Sequence, residues 1–217
     1  MAHTLAGADG APDFIHRFVP GTDAGAAPLL LLHGTGGDEE DLIPLGHAVA
    51  PGAALLSPRG KVSEGGMPRF FRRLSEGVFD EEDVVRRARE LADFIAAART
   101  RYGIAAPVAF GFSNGANIAA ALLMLRPEAL SGAVLLRAMV PLSAPPAGNL
   151  PGTPVLMLSG AMDPIAPRAN SASLAAQLTA RGAQVEHKVL PAGHGLMQAD
   201  IAAARDFLAA AGRREAA

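Results

Sequence analysis

Short apolar runs alternate along the chain with longer segments whose apolar residues recur at helical spacing. Residues 14–19 read as an edge strand, and 28–32, 53–57, 108–112, 133–137, 155–159 and 185–190 read as further strands. Most of these are continuous apolar runs, the pattern of strands covered on both faces. Between and after them, residues 83–102, 114–125, 166–181 and 197–211 read as helices. In the first, Val84, Ala88, Leu91, Phe94, Ile95 and Ala98 form one stripe, while Arg86, Arg87, Arg89, Glu90 and Asp93 stay outside it. Strand and helix in this alternation predict an α/β fold, a mostly parallel central sheet with helices on both faces.

Two segments break the alternation. Residues 141–154 are rich in Pro and Gly and read as a surface connection. Residues 59–79 mix Gly, Arg and Phe without a clean period, and loops of that length in compact domains are usually functional or disordered, so a solvated excursion is the alternative to a functional loop. Ligands of open α/β sheets bind beyond the carboxyl ends of the strands, so this loop is placed to wall a site. Two readings of its apolar residues stand side by side. Phe70, Phe71 and Met67 line a substrate pocket, or the phenylalanines plug the loop onto the body of the domain.

Composition narrows the class. At 217 residues the chain reads as a single domain, 1–217, with residues 1–12 as a flexible N-terminus. Half of it is apolar, enough for a substantial core. Nineteen Lys and Arg against twenty-one Asp and Glu leave a net charge of -2, without the basic excess that nucleic-acid binding uses. The absence of cysteine excludes disulfides, thiolate metal sites and cysteine nucleophiles. Residues 1–12 carry neither Lys or Arg nor an apolar run, so no secretory signal is expected and the cytoplasm is the default location. No apolar segment reaches the length of a membrane span.

The chemistry centres on Gly111-Phe112-Ser113-Asn114-Gly115, a G-x-S-x-G match where a predicted strand meets a predicted helix. That context is the sharp turn that lifts a serine hydroxyl above a sheet, and in this arrangement an acid and then a histidine follow the serine in sequence. Only His187 and His194 follow Ser113. His187 falls inside a predicted strand, whereas His194 lies in the loop Pro191-Ala192-Gly193-His194-Gly195 and is the candidate base. Asp163 is the only aspartate between Ser113 and His194 and lies just past a predicted strand. It is the candidate orienting acid. An oxyanion would be received by the backbone N–H of Asn114 and by one from His33-Gly34-Thr35-Gly36-Gly37, with Thr35 the choice. His33 precedes the serine, has no ligand cluster beside it, and reads as a structural hydrogen-bonding residue. No metal site is expected, and neither nucleotide-binding glycine pattern is present.

Taken together, LLLLHGTGGDEEDL, LSPRG, GMPRFFRR, GFSNGANIAA, SGAMDPIAP and PAGHG resemble the compact bacterial carboxylesterase/phospholipase branch of the α/β-hydrolases, similar to acyl-protein thioesterases. The resemblance covers roughly residues 28–208. It implies the α/β-hydrolase fold without a large cap domain and a Ser113/Asp163/His194 triad. It also implies backbone oxyanion donors at Thr35 and Asn114, no cofactor, a small-molecule ester substrate and often a homodimer. Thr35 stands where eukaryotic thioesterases usually carry leucine, a change of little consequence where the backbone N–H acts. The reading is a serine carboxylesterase for small or medium acyl chains. An acyl-protein thioesterase or lysophospholipase would use the same triad, and a non-catalytic binding protein on this fold is the remote alternative.

Overall fold

The computed structural model describes residues 3–4 and 13–215. In chain order the elements are β1 (His3–Thr4), β2 (Ile15–Val19), β3 (Leu29–Leu32), α1 (Ile43–Val49), β4 (Leu55–Pro58), β5 (Val62–Glu64), β6 (Met67–Arg69), β7 (Arg73–Ser75) and β8 (Val78–Phe79). They continue with α2 (Glu81–Tyr102), β9 (Val108–Phe112), α3 (Asn114–Leu125), β10 (Gly132–Leu136), β11 (Pro154–Gly160), α4 (Arg168–Ala180), β12 (Gln184–Leu190) and α5 (Gln198–Glu215). Of the stretch 1–12 expected to be a flexible N-terminus, only β1 is described, and the rest of that expectation lies outside the described residues.

Eight strands form one sheet in the order β1-β2-β4-β3-β9-β10-β11-β12. From β4 through β12 all neighbours are parallel, and β2 joins β4 antiparallel. The strand expected at the edge, β2, is covered by β1 in an antiparallel pair. This is the α/β-hydrolase fold, and among the described residues no large cap domain lies above the carboxyl edge of the sheet.

Strand alternation divides the core in two. Leu30 and Leu32 pack on one face with Leu56, Leu135 and Met157, beneath the buried stripes of α2, α3 and α4. Leu29 and Leu31 pack on the other with Leu55, Phe110, Leu136 and Leu158, beneath α1 and α5. All four leucines of β3 are fully buried because both faces are covered. The α2 stripe read from the sequence is the buried stripe. Asp80 caps this helix by accepting the Asp83 N–H at 3.1 Å. Gly103 ends it in the left-handed region at φ 65.

The pattern did not predict α1. It is only seven residues long, with Pro44 in its first turn, and so shows little period. Its Gly46 sits where a Cβ would come within 3.0 Å of Leu31 and 3.1 Å of Leu55, so the helix can lie close against the sheet. No helix among the described residues is long and apolar enough to cross a membrane.

The aperiodic 59–79 segment consists of two small antiparallel hairpins, β5–β6 and β7–β8. Gly65 and Gly66 turn the first with φ of 57 and 85, the pair of positive angles that a type I′ turn demands. Between the hairpins the chain dives inward. Phe70 and Phe71 are 3% and 0% exposed and belong to the core cluster under α2. The pocket-lining reading of these two rings is therefore corrected in favour of the plug. Apolar rings four and five residues after the Gly65-Gly66 turn carried no period, yet directly after β6 both rings enter the core. Replacing Phe71 with Ala is expected to lower unfolding free energy by about 3–5 kcal/mol in urea titration, as loss of a fully buried ring does.

Candidate active site

Ser113 joins β9 to α3 in a conformation that L-residues rarely adopt, φ 51 and ψ -113. Two glycines permit it. A Cβ on Gly111 would lie 2.6 Å from the Gly115 carbonyl oxygen, and one on Gly115 would lie 2.0 Å from that of Leu32. The Ser113 N–H donates to the Leu136 carbonyl at 2.8 Å, which ties the turn to β10. The serine hydroxyl is thus raised at the carboxyl edge of the sheet.

The structure brings the three residues selected from sequence into one chain of hydrogen bonds. His194 Nε2 lies 3.0 Å from Ser113 Oγ, and its Nδ1 lies 2.9 Å from Asp163 Oδ2. The other Asp163 oxygen, Oδ1, accepts the Ile165 and Ala166 N–H groups at 2.8 and 3.0 Å. Burial alone would raise the Asp163 pKa, but the Ala166 N–H, His194 and the Ile165 N–H together hold it below the ordinary carboxyl value. An ionised Asp163 favours the imidazole tautomer with its proton on Nδ1, leaving Nε2 to accept from the serine hydroxyl. His187 is elsewhere, on β12, where its Nε2 lies 2.9 Å from Ser159 Oγ.

Thr35 and Asn114 share a cavity of about 260 Å³ with Ser113 and His194. Among the described residues, neither the Thr35 nor the Asn114 N–H finds an acceptor in the backbone. The loop that carries Thr35 is fixed from below by His33, which is buried. His33 Nδ1 donates to the Gly34 carbonyl at 2.7 Å, and Nε2 accepts the Gly60 N–H at 2.9 Å. Burial pushes the His33 pKa below its ordinary value, against the opposing pull of the Gly34 carbonyl and nearby carboxylates. The first hairpin fixes the loop from above. Gly36 N–H donates to the Pro68 carbonyl at 3.0 Å, Arg69 Nη1 donates to Thr35 Oγ1 at 2.6 Å, and Phe70 N–H donates to Asn114 Oδ1 at 2.7 Å. Phe70 and Phe71 therefore serve this region through backbone and core packing. Met67, 43% exposed, lies over Gly36 and outside the cavity lining.

Sequence reasoning missed Arg137 and Asp200. Arg137 follows β10 with φ 57, is fully buried, and forms a two-point ion pair with Asp200, both contacts at 2.8 Å. Its remaining donors reach the carbonyls of Leu158, Gly193 and Gly195 at 3.1, 3.0 and 3.1 Å. The guanidinium thus holds the backbone on both sides of His194. The only sequence signal was an arginine closing an apolar strand run, with no means of naming its partner 63 positions away. Among the described residues no group of three His, Asp or Glu side chains is placed to hold a metal ion.

Fold and site together define an α/β-hydrolase. The profile of the phospholipase/carboxylesterase family matches residues 15–211, and the chain belongs to that family. A carboxylesterase of Bacillus cereus, 44% identical, superposes with a TM-score of 0.89 over 91% of this chain and 94% of its own. A carboxylesterase from Mesorhizobium loti, 32% identical, gives 0.86 over 95% of this chain and 98% of its own. MhqD of Bacillus subtilis (strain 168), a protein named as a candidate hydrolase, is 46% identical over 181 residues, 82% of this chain and 90% of its own. The protein is accordingly an enzyme, a hydrolase.

Two consequences are measurable. Arg137→Met strands the buried Asp200 carboxylate and is expected to cost about 3–5 kcal/mol in chemical denaturation, while adding Asp200→Leu restores much of that loss. In the double variant the Gly193 and Gly195 carbonyls remain unheld, which faster amide hydrogen exchange in this loop will report. For His33, the unfolded chain takes up a proton near pH 6.5 while the folded protein resists it to lower pH. Stability is therefore full above about pH 6.5 and falls as the pH drops toward the folded-state value. His187, also lowered by burial, acts with the same sign. Unfolding free energies measured between pH 7.5 and 5 should decline, and less steeply in His33→Gln.

Proposed function

We propose that this hydrolase is a serine carboxylesterase that cleaves esters of small or medium acyl chains through an acyl-serine intermediate. The observation that carries the reading is the continuous hydrogen-bonded series Asp163–His194–Ser113, 2.9 and 3.0 Å, opening on a cavity of about 260 Å³. In this reading Ser113 Oγ attacks the ester carbonyl as His194 Nε2 takes its proton. Asp163 keeps the imidazole oriented and stabilises the imidazolium. The negative charge on the carbonyl oxygen is received by the N–H groups of Thr35 and Asn114, which need no rearrangement because His33, Arg69 and Phe70 already hold their loops. His194 then returns the proton to the departing alcohol. Water, activated by the same imidazole, attacks the acyl-serine and releases the acid.

A thioesterase or lysophospholipase would run these same steps with another leaving group. The cavity favours the shorter acyl chains, since pockets for drug-sized ligands occupy roughly 300–1,000 Å³. Ser113→Ala is expected to abolish both release of 4-nitrophenol from 4-nitrophenyl acetate and labelling by a fluorophosphonate, with unchanged thermal stability. Labelling retained on another serine would refute the nucleophile. Asp163→Asn should lower kcat by on the order of 10⁴, the cost of the wrong tautomer in comparable triads.

A further inference from the structure

The lining of the cavity beside Ser113 is of two unlike kinds. Phe79, Phe112, Met139 and Ile165 are apolar, and the first and second hairpins contribute Arg69 and Arg73, the latter paired across its hairpin with Phe79. Arginines at a small acyl site carry a desolvation cost that apolar residues would avoid, so their hydrogen bonds are informative. Arg69 is held rigidly. Its side chain is 4% exposed, Nε faces the Phe71 carbonyl and Glu64 at 3.2 Å each, and Nη1 donates to Thr35 Oγ1. Its Nη2 has no hydrogen-bond partner among the described residues. Arg73 meets the same carboxylate, with Nε and Nη2 both 2.8 Å from Glu64 Oε1. One carboxylate therefore serves two guanidiniums. Burial and the proximity of Arg73 both lower the Arg69 pKa, Glu64 opposing them, as expected where a positive charge is incompletely matched.

The other carboxylates near the site are committed elsewhere. Asp163 is bonded to His194 and two backbone N–H groups, and Asp200 is paired with Arg137. Glu76 also lines the cavity, but it is exposed, so water screens it. The unused Nη2 belongs to the buried Arg69 guanidinium held against Thr35, with the partly exposed Arg73 beside it on the shared Glu64, and a planar carboxylate suits a guanidinium's donor geometry.

We propose that the Arg69–Arg73 pair recognises a carboxylate on the substrate, so that the preferred esters are small and anionic, with the charged group beside the arginines and the apolar portion against Phe79, Phe112, Met139 and Ile165. This rests on the esterase reading above and narrows its substrate class.

The test compares two pairs of esters, each an anion with its neutral methyl twin. Mono(4-nitrophenyl) glutarate and 4-nitrophenyl methyl glutarate differ in charge on the acyl side. 4-Acetoxybenzoate and methyl 4-acetoxybenzoate differ on the leaving-group side. The expected result is a higher kcat/KM for the anion in at least one pair, residing in KM and weakening as salt is raised. In Arg73→Gln the anion-to-neutral ratio should fall at least tenfold, while Arg73→Lys keeps the greater part of it. A wild-type ratio of one or less in both pairs, or a ratio that Arg73→Gln changes less than tenfold, overturns the proposal. The esterase reading fails separately, through absence of hydrolysis of every ester together with absence of fluorophosphonate labelling. Should that happen, calorimetric titration with glutarate against its neutral diamide, glutaramide, still decides the matter. Binding of glutarate alone, lost in Arg73→Gln, upholds anion recognition, and equal or absent binding of both refutes it.

Discussion

The turn at Ser113 is the constraint on which the site depends. A serine at φ 51 is held only because β9 continues into α3 without a side chain at Gly111 or Gly115. The helix can then sit so near β3 that the Leu32 carbonyl occupies the space where a Cβ of residue 115 would be. That closeness has a second effect. It brings the loop leaving β3, with Thr35, beside the first N–H of α3, so that one steric allowance raises the hydroxyl and juxtaposes two backbone donors. The backbone strain is sustained by the parallel strands on either side and by the bond from Ser113 N–H to Leu136.

The loops around this turn are held by polar groups buried beneath them. Arg137 uses its guanidinium to bind three carbonyls and Asp200, and so sets the path of the backbone through His194. His33 does the equivalent for the Thr35 loop, one ring nitrogen donating and the other accepting. Each of these groups would be costly to bury unpaired, which gives the loops few alternative arrangements. The hairpins after β4 complete the enclosure. They contribute Phe70 and Phe71 downward to the core, and Arg69 and Arg73 sideways to the cavity.

Much of this was legible in one dimension. The alternation of apolar runs and helical stripes determined the α/β class, the parallel strands and the buried face of α2, because a 3.6 period records which face of a helix meets the core and a continuous apolar run records a strand covered on both faces. The order serine, acid, histidine, with so few candidates after Ser113, singled out the three residues that the fold brings within hydrogen-bonding distance. What the sequence could not determine was decided by contacts between distant segments. The 59–79 stretch has no period because its residues face the core, the cavity and the solvent in turn within two tight hairpins. Arg137 meets Asp200 only because parallel crossovers bring the end of β10 to the start of α5. Neither direction of a side chain within an irregular loop nor pairing across crossovers leaves a local signature, since both arise from long-range packing.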